Sequence, residues 1–80
     1  MSKSLQLSQS REENLRLYGI WLKDAKDAAA SKDPKAKEML EVAGGAAGWL
    51  FEVYLGERGN LMDDMSEIER LLDTLGASTG

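Results

Sequence analysis

The sequence predicts an all-α fold: a small unit of three helices, in which an antiparallel hairpin of two helices is joined by a third, acidic helix. Three separate stretches repeat apolar residues with helical spacing. Recognisable helix-start signals precede each stretch, and the connections between them are short, which favours antiparallel neighbours. The 80 residues are predicted to form one domain over residues 10–76, between a flexible N-terminal segment, 1–9, and a flexible tail, 77–80.

The first helix is predicted over residues 11–30. Ser10 and Glu13 form a capping box, because the Ser10 hydroxyl can accept from the Glu13 amide while the carboxylate reaches back. One helical face is apolar and consists of Leu15, Tyr18, Leu22, Ala25 and Ala29.

The second helix is predicted over residues 34–55. Asp33 followed by Pro34 is a start signal, since proline suits the first helical position and aspartate suits the N-cap. Gly56 is expected to end the helix in the left-handed conformation. Because this helix is apolar on nearly every side, we expect it to be buried nearly all round.

A β-hairpin is the competing interpretation of this region. Residues 49–55 are rich in aromatic residues with strand propensity, and residues 56–59 contain two glycines that suit a turn. The residues beyond Asn60 have helical spacing, however, so the hairpin lacks a second strand. We therefore favour the all-helical interpretation.

The third helix is predicted over residues 61–75, after a loop at residues 56–59. Asn60 is the expected N-cap, with Asp63 in the partner position of a capping box, and Gly76 is the expected end. Its outer face is acidic, because Arg70 alone offsets five acids: Asp63, Asp64, Glu67, Glu69 and Asp73.

Composition excludes several kinds of chemistry. The chain has neither cysteine nor histidine, so disulfides, thiolate metal sites and histidine bases are impossible. The net charge is −4, and residues 41–80 carry eight acids and two bases, which disfavours nucleic acid and anionic lipid as partners. The apolar run at residues 42–51 is too short to span a membrane. With no signal-peptide pattern at its start, the chain is expected in the cytoplasm.

Three glycines in the middle of the second helix cost about 2–3 kcal/mol in helix propensity, which suggests a steric reason. Gly44 and Gly48 lie four residues apart on one face. They suit close packing within the chain, a homodimer crossing, or a kink or ligand pocket. A small core favours a partner chain, so we expect a homodimer. The predicted packing residues are Gly44, Gly48, Trp49, Phe51 and Leu55.

Two features suggest a surface for a protein partner. Trp21 lies at the edge of the apolar stripe of the first helix, where a core role is common and an interface anchor is the sharper hypothesis. On the third helix, Asp63, Asp64 and Glu67 suit a basic partner, although such charges often form only a solvated face. They lack the pattern of a calcium loop, so no metal is predicted.

These observations predict a non-enzymatic protein-interaction module, an adaptor or inhibitor that occupies a partner's surface. No catalytic residues and no cofactor are predicted, because no acid pair shares an apolar face. A chain of this size with no motif for chemistry is typical of phage and mobile-element inhibitors of host systems. The alternative is a small-ligand module with a pocket at the Gly44–Gly48 notch, lined by Trp49 and Tyr18.

Overall fold

Three α-helices make up most of the chain. The computed structural model describes residues 4–79, with side chains described as far as Gly76. Helix α1 spans Arg11–Ala30, α2 spans Ala36–Val53 and α3 spans Arg58–Thr79, with a 3-10 turn, Leu55–Glu57, before α3. Residues 4–79 contain no strand, so the all-α prediction is confirmed there. The competing β-hairpin interpretation of residues 49–59 is wrong. Of the predicted flexible ends, residues 1–3 and 80 lie outside the described residues.

Helix α1 has the predicted bounds. The Ser10 hydroxyl oxygen accepts a hydrogen bond from the Glu13 amide at 3.1 Å, which is one half of the predicted capping box, while the Glu13 carboxylate accepts from the Arg16 guanidinium at 2.6 and 3.0 Å. The helix ends in a Schellman motif, in which the Asp33 amide reaches the Ala28 carbonyl (2.9 Å) and the Lys32 amide reaches the Ala29 carbonyl (3.2 Å). Lys32 is therefore held in the left-handed region, with φ 58°.

Helix α2 begins at Ala36, two residues later than predicted. Pro34 lies in the preceding turn, where the Asp33 carboxylate accepts from the Lys35 amide at 2.8 Å. The Asp33 amide closes α1, and the Asp33 carbonyl accepts from the Ala36 amide at 3.0 Å, so residues 33–36 form a separate hydrogen-bonded turn that leads into α2. The predicted start at Pro34 is therefore two residues early, because residues 34 and 35 belong to that turn.

The junction between α2 and α3 also differs from the prediction. Helix α2 ends at Val53, and the 3-10 turn leads directly into α3, so Gly56 is not a left-handed cap and Asn60 is not an N-cap. Gly76 does not end α3 either, because the helix continues to Thr79. A glycine stops a helix only where the chain adopts the left-handed conformation, and no described glycine has positive φ.

The core is built around one face of α2, which packs against both α1 and α3. Leu40 and Leu50 are fully buried there, and four buried alanines belong to the same helix: Ala36, Ala43, Ala46 and Ala47. The opposite side of α2 is exposed at Glu41, Gly45 and Glu52. The expectation that α2 is buried nearly all round is therefore wrong, since two neighbouring helices cover only part of its perimeter.

A buried amide ties three parts of the chain together. Asn14 has no exposed surface, and its Nδ2 donates to the Gln6 carbonyl (2.9 Å) and to the Tyr54 hydroxyl (2.8 Å). Its Oδ1 accepts from the Gln6 amide (3.2 Å) and from Gln9 Nε2 (2.7 Å). All four hydrogen-bonding positions of the amide are used, so its burial is compensated. The network joins residues 6–9, the first turns of α1 and the end of α2.

Replacing Ala47 by leucine is expected to destabilise the protein by about 1–3 kcal/mol, because the added atoms meet a fully buried helix contact. The matched change on the exposed side of the same helix is Gly45→Ala. No atom lies within 4 Å of the added methyl group there, so a gain of about 0.8–1.0 kcal/mol in helix propensity is expected. Urea denaturation measures both free energies of unfolding, and equal shifts would contradict the assignment of the two faces.

Asn14→Ala is expected to cost about 1–3 kcal/mol, because it removes the hydrogen bonds of a fully buried amide and leaves its partly buried partners, Gln9 and Tyr54, without them. The control is Asn60→Ala, an exposed asparagine inside α3, which is expected to change stability by less than about 0.5 kcal/mol. Urea denaturation of the two variants decides the point. A cost at Asn14 no larger than at Asn60 would show that the network contributes nothing to stability.

Candidate functional site

An open groove lies between α1 and α2. Trp21, Met39 and Val42 line it with apolar surface, and Asp24 and Glu38 complete the lining. Its volume is about 280 Å³. Trp21 and Met39 are half-buried, whereas Val42 keeps 57% of its surface exposed. We refer to these five residues as the α1–α2 groove.

The helical repeat places these residues together. On α1, Trp21 and Asp24 are three residues apart and so share an edge of the helix, as Met39 and Val42 do on α2. On the other edge of α1, Tyr18 and Lys26 make contacts to α3. Trp21 is therefore left on the edge of α1 that lines the groove with α2.

The two carboxylates of the groove are not neutralised within the described chain. Between residues 4 and 79, neither Asp24 nor Glu38 forms an ion pair with lysine or arginine. Both side chains are exposed, one on each helix. The groove thus combines apolar surface with two unpaired negative charges, a combination suited to a cation attached to an apolar group.

A second groove lies between α2 and α3, with a volume of about 310 Å³. Leu40 and Ile68, which line it, are already buried, and Glu41 and Glu69 are exposed at its edge. Gly44, Met65 and Leu72 complete the lining. This groove contains no aromatic side chain and offers less unburied apolar surface than the α1–α2 groove.

The acidic residues predicted to bind a partner do not form one solvent-facing surface. Asp64 accepts a hydrogen bond from the Tyr18 hydroxyl at 2.7 Å, and Glu67 pairs with Lys26 at 2.8 Å. Of the three, Asp63 is exposed, whereas Asp64 and Glu67 are half-buried. Two of the three acids are thus engaged in contacts between α3 and α1.

These contacts shift two pKa values. Burial and the Asp64 carboxylate raise the pKa of Tyr18 well above its usual value, because both disfavour the phenolate. The hydrogen bond and positive charge of Lys26 lower the pKa of Glu67. Both shifts favour the protonation states that hold α1 and α3 together at neutral pH.

The residues predicted for close packing lie in different surroundings. A Cβ at Gly44 would meet the Ile68 side chain at 3.5 Å, an ordinary contact, and one at Gly48 would meet nothing within 4 Å. No described neighbour therefore requires glycine at either position. The Arg58 guanidinium lies over the ring of Phe51, with its central carbon 4.6 Å from the ring centre. Leu55 is 63% exposed.

Trp49 is separate from that glycine face. Its ring meets Tyr54 edge-on, with the ring centres 6.2 Å apart. Tyr54 in turn bonds Asn14, so Trp49 packs beside the buried amide network. The predicted notch does not form a single pocket, since Tyr18 is buried in the core while Trp49 lies at this other contact.

Two further features of residues 4–79 bear on function. No group of three or more acidic side chains in this part of the chain is arranged to hold a metal ion. Each of its helices is too short or too polar to cross a lipid bilayer.

Comparison with known proteins adds no family. No protein-family model matches the chain, and neither a curated protein nor a solved structure gives a match.

Tyr18→Phe is expected to destabilise the protein by about 1.5–3 kcal/mol at neutral pH, since it removes a hydrogen bond to a carboxylate. The pKa of Tyr18 is raised by folding, so its contribution is fully present below its unfolded value of about 10 and is lost as the pH rises through the folded value. The difference between the wild type and the variant should therefore shrink above about pH 10.

Urea denaturation at neutral and alkaline pH measures that difference. Asp63→Asn, which changes an exposed acid one residue before Asp64, is the control and should change stability by less than about 0.5 kcal/mol. A Tyr18→Phe effect that stays constant into alkali would contradict the proposed contribution of the phenol proton.

Proposed function

We propose that this chain is a non-enzymatic protein-interaction module, an adaptor or inhibitor that acts by occupying the surface of a partner protein. The observation that carries the proposal is the α1–α2 groove, where Trp21 is accessible at its edge and Val42 is largely exposed. Tryptophan is enriched among the residues that dominate binding energy at protein interfaces. A half-buried tryptophan beside exposed apolar surface is suited to that role.

The groove is an anchor point rather than a whole interface. A stable interface buries about 800 Å² on each partner, of which a few central residues supply most of the binding energy. Ile20 is also exposed and precedes Trp21, so apolar surface continues beyond the groove on α1. The exposed acids around this surface suit a polar rim.

The antiparallel hairpin and the homodimer belong to the same proposal. Asn14, near the start of α1, bonds Tyr54, just after α2, and this contact supports an antiparallel pair. Leu55 is exposed and Gly48 has open space beside it, which supports a second copy approaching that side of α2. Partner binding at the α1–α2 groove leaves that other side available.

The experiment is affinity capture from lysate of the source cells, with quantification of the captured proteins. Val42→Asp places a charge in the groove and should reduce capture of the specific partner at least about tenfold, a loss of about 1.4 kcal/mol. Met62→Asp is the matched control, because Met62 on α3 is 55% exposed and lies outside the groove. It should capture the partner as the wild type does.

Thermal melting and light scattering accompany the capture. Both variants replace exposed side chains, so both should remain folded with the oligomeric state of the wild type. Capture that is equal for the two variants, or that fails equally for both, would refute the groove as the partner-binding surface.

A further inference from the structure

We infer that the occupant of the α1–α2 groove is a basic amphipathic segment of the partner protein, which places an apolar side chain against Trp21 and Val42 and a lysine or arginine beside Asp24 and Glu38. The inference rests on the proposed function and adds the chemistry of the partner. It follows from the size of the groove, its unpaired charges and the exclusion of a second copy.

The size of the groove suits side chains. Sites for small molecules commonly measure about 300–1,000 Å³ and enclose most of the ligand. The α1–α2 groove, at about 280 Å³, is at the lower end of that range, and it is open to solvent, so it would leave much of a ligand uncovered. Apolar anchors of a helix or peptide commonly occupy such open grooves, with the rest of the segment outside.

The charges of the groove select a cation. Asp24 and Glu38 come from different helices, and no basic side chain lines the groove. Residues 4–79 supply neither acid with an ion-pair partner. A lysine or arginine from a partner would form charge-assisted hydrogen bonds there, next to apolar surface that limits access of water. An acidic segment would instead be repelled.

A second copy of the chain fits this groove poorly. In a two-fold symmetric contact the same patch packs against itself, so the interface would contain Asp24 and Glu38 of both copies and no basic residue from either groove lining. Such like-charge contacts disfavour association. The occupant is thus expected to be a different, basic chain.

The α2–α3 groove provides a matched internal control. Glu41 and Glu69 are also exposed acids at the edge of an apolar groove, and neither forms an ion pair within residues 4–79. Neutralising either pair changes the net charge equally. The two double variants therefore separate binding at one groove from a general attraction of bases to an acidic protein.

The test measures fluorescence anisotropy of a labelled, short amphipathic helical peptide of leucine and lysine, with the corresponding leucine–glutamate peptide as comparison. The full chain should bind the lysine peptide, with affinity falling as salt rises. Asp24→Asn with Glu38→Gln should weaken that binding at least about tenfold, whereas Glu41→Gln with Glu69→Gln should change it less than about twofold.

A reciprocal exchange guards against loss of folding. The variant with Asp24→Lys and Glu38→Lys should bind the leucine–glutamate peptide better than the wild type does. Unfolding could explain a loss of binding, but it could not explain a gain that depends on these two positions. The variant with Glu41→Lys and Glu69→Lys should bind the leucine–glutamate peptide less tightly than the variant with Asp24→Lys and Glu38→Lys does.

Three results would overturn the inference: no binding of the lysine peptide, equal binding of both peptides, or equal losses for the two neutralised variants. Each leaves the proposed function standing if Val42→Asp still reduces capture of the natural partner at least about tenfold while Met62→Asp does not. The chemistry of the occupant and the existence of the binding surface are thus tested separately.

Discussion

The close contact of α1 and α3 with the alanine-rich face of α2 is the constraint on which the rest of the structure depends. Ala43 and Ala47 are fully buried, and each adds only a methyl group to the helix surface. Both neighbouring helices can therefore pack closely against one central helix. The consequence is incomplete coverage, since two neighbours cannot enclose α2 and its remaining apolar residues lie along open grooves.

Polar contacts hold the two outer helices in register. Tyr18 donates to Asp64, and Lys26 pairs with Glu67, so part of the acidic surface of α3 is used within the chain. Asp24 and Glu38 have no such counterpart in the described residues. The molecule thus has acids that are engaged in contacts between helices and acids that form no ion pair within residues 4–79. The total charge of −4 does not distinguish them.

Local signals in the sequence were sufficient where a helix end depends on neighbouring residues. The capping box of Ser10 and Glu13 and the apolar spacing that follows predicted both ends of α1. The glycines were poor guides, because the left-handed position in the described chain is occupied by Lys32. Asn14 was missed, although it lies four residues before Tyr18 and so continues the buried stripe. A polar residue at such a position signals a buried hydrogen-bond network only once its partners are known.

By itself, the sequence determined the all-α class, the bounds of α1 and the lack of cysteine and histidine chemistry, because these depend on composition and on contacts within a few residues. The sequence also identified Trp21 as a candidate interface residue, but it did not show which residues lie around Trp21. Only the tertiary structure decided which acids are engaged, since Tyr18 and Asp64 meet across 46 positions of the chain. The same holds for the groove, because Trp21 meets Met39 and Val42 only after α1 packs against α2. The relative position of helices determines such contacts, and helical periodicity does not encode it.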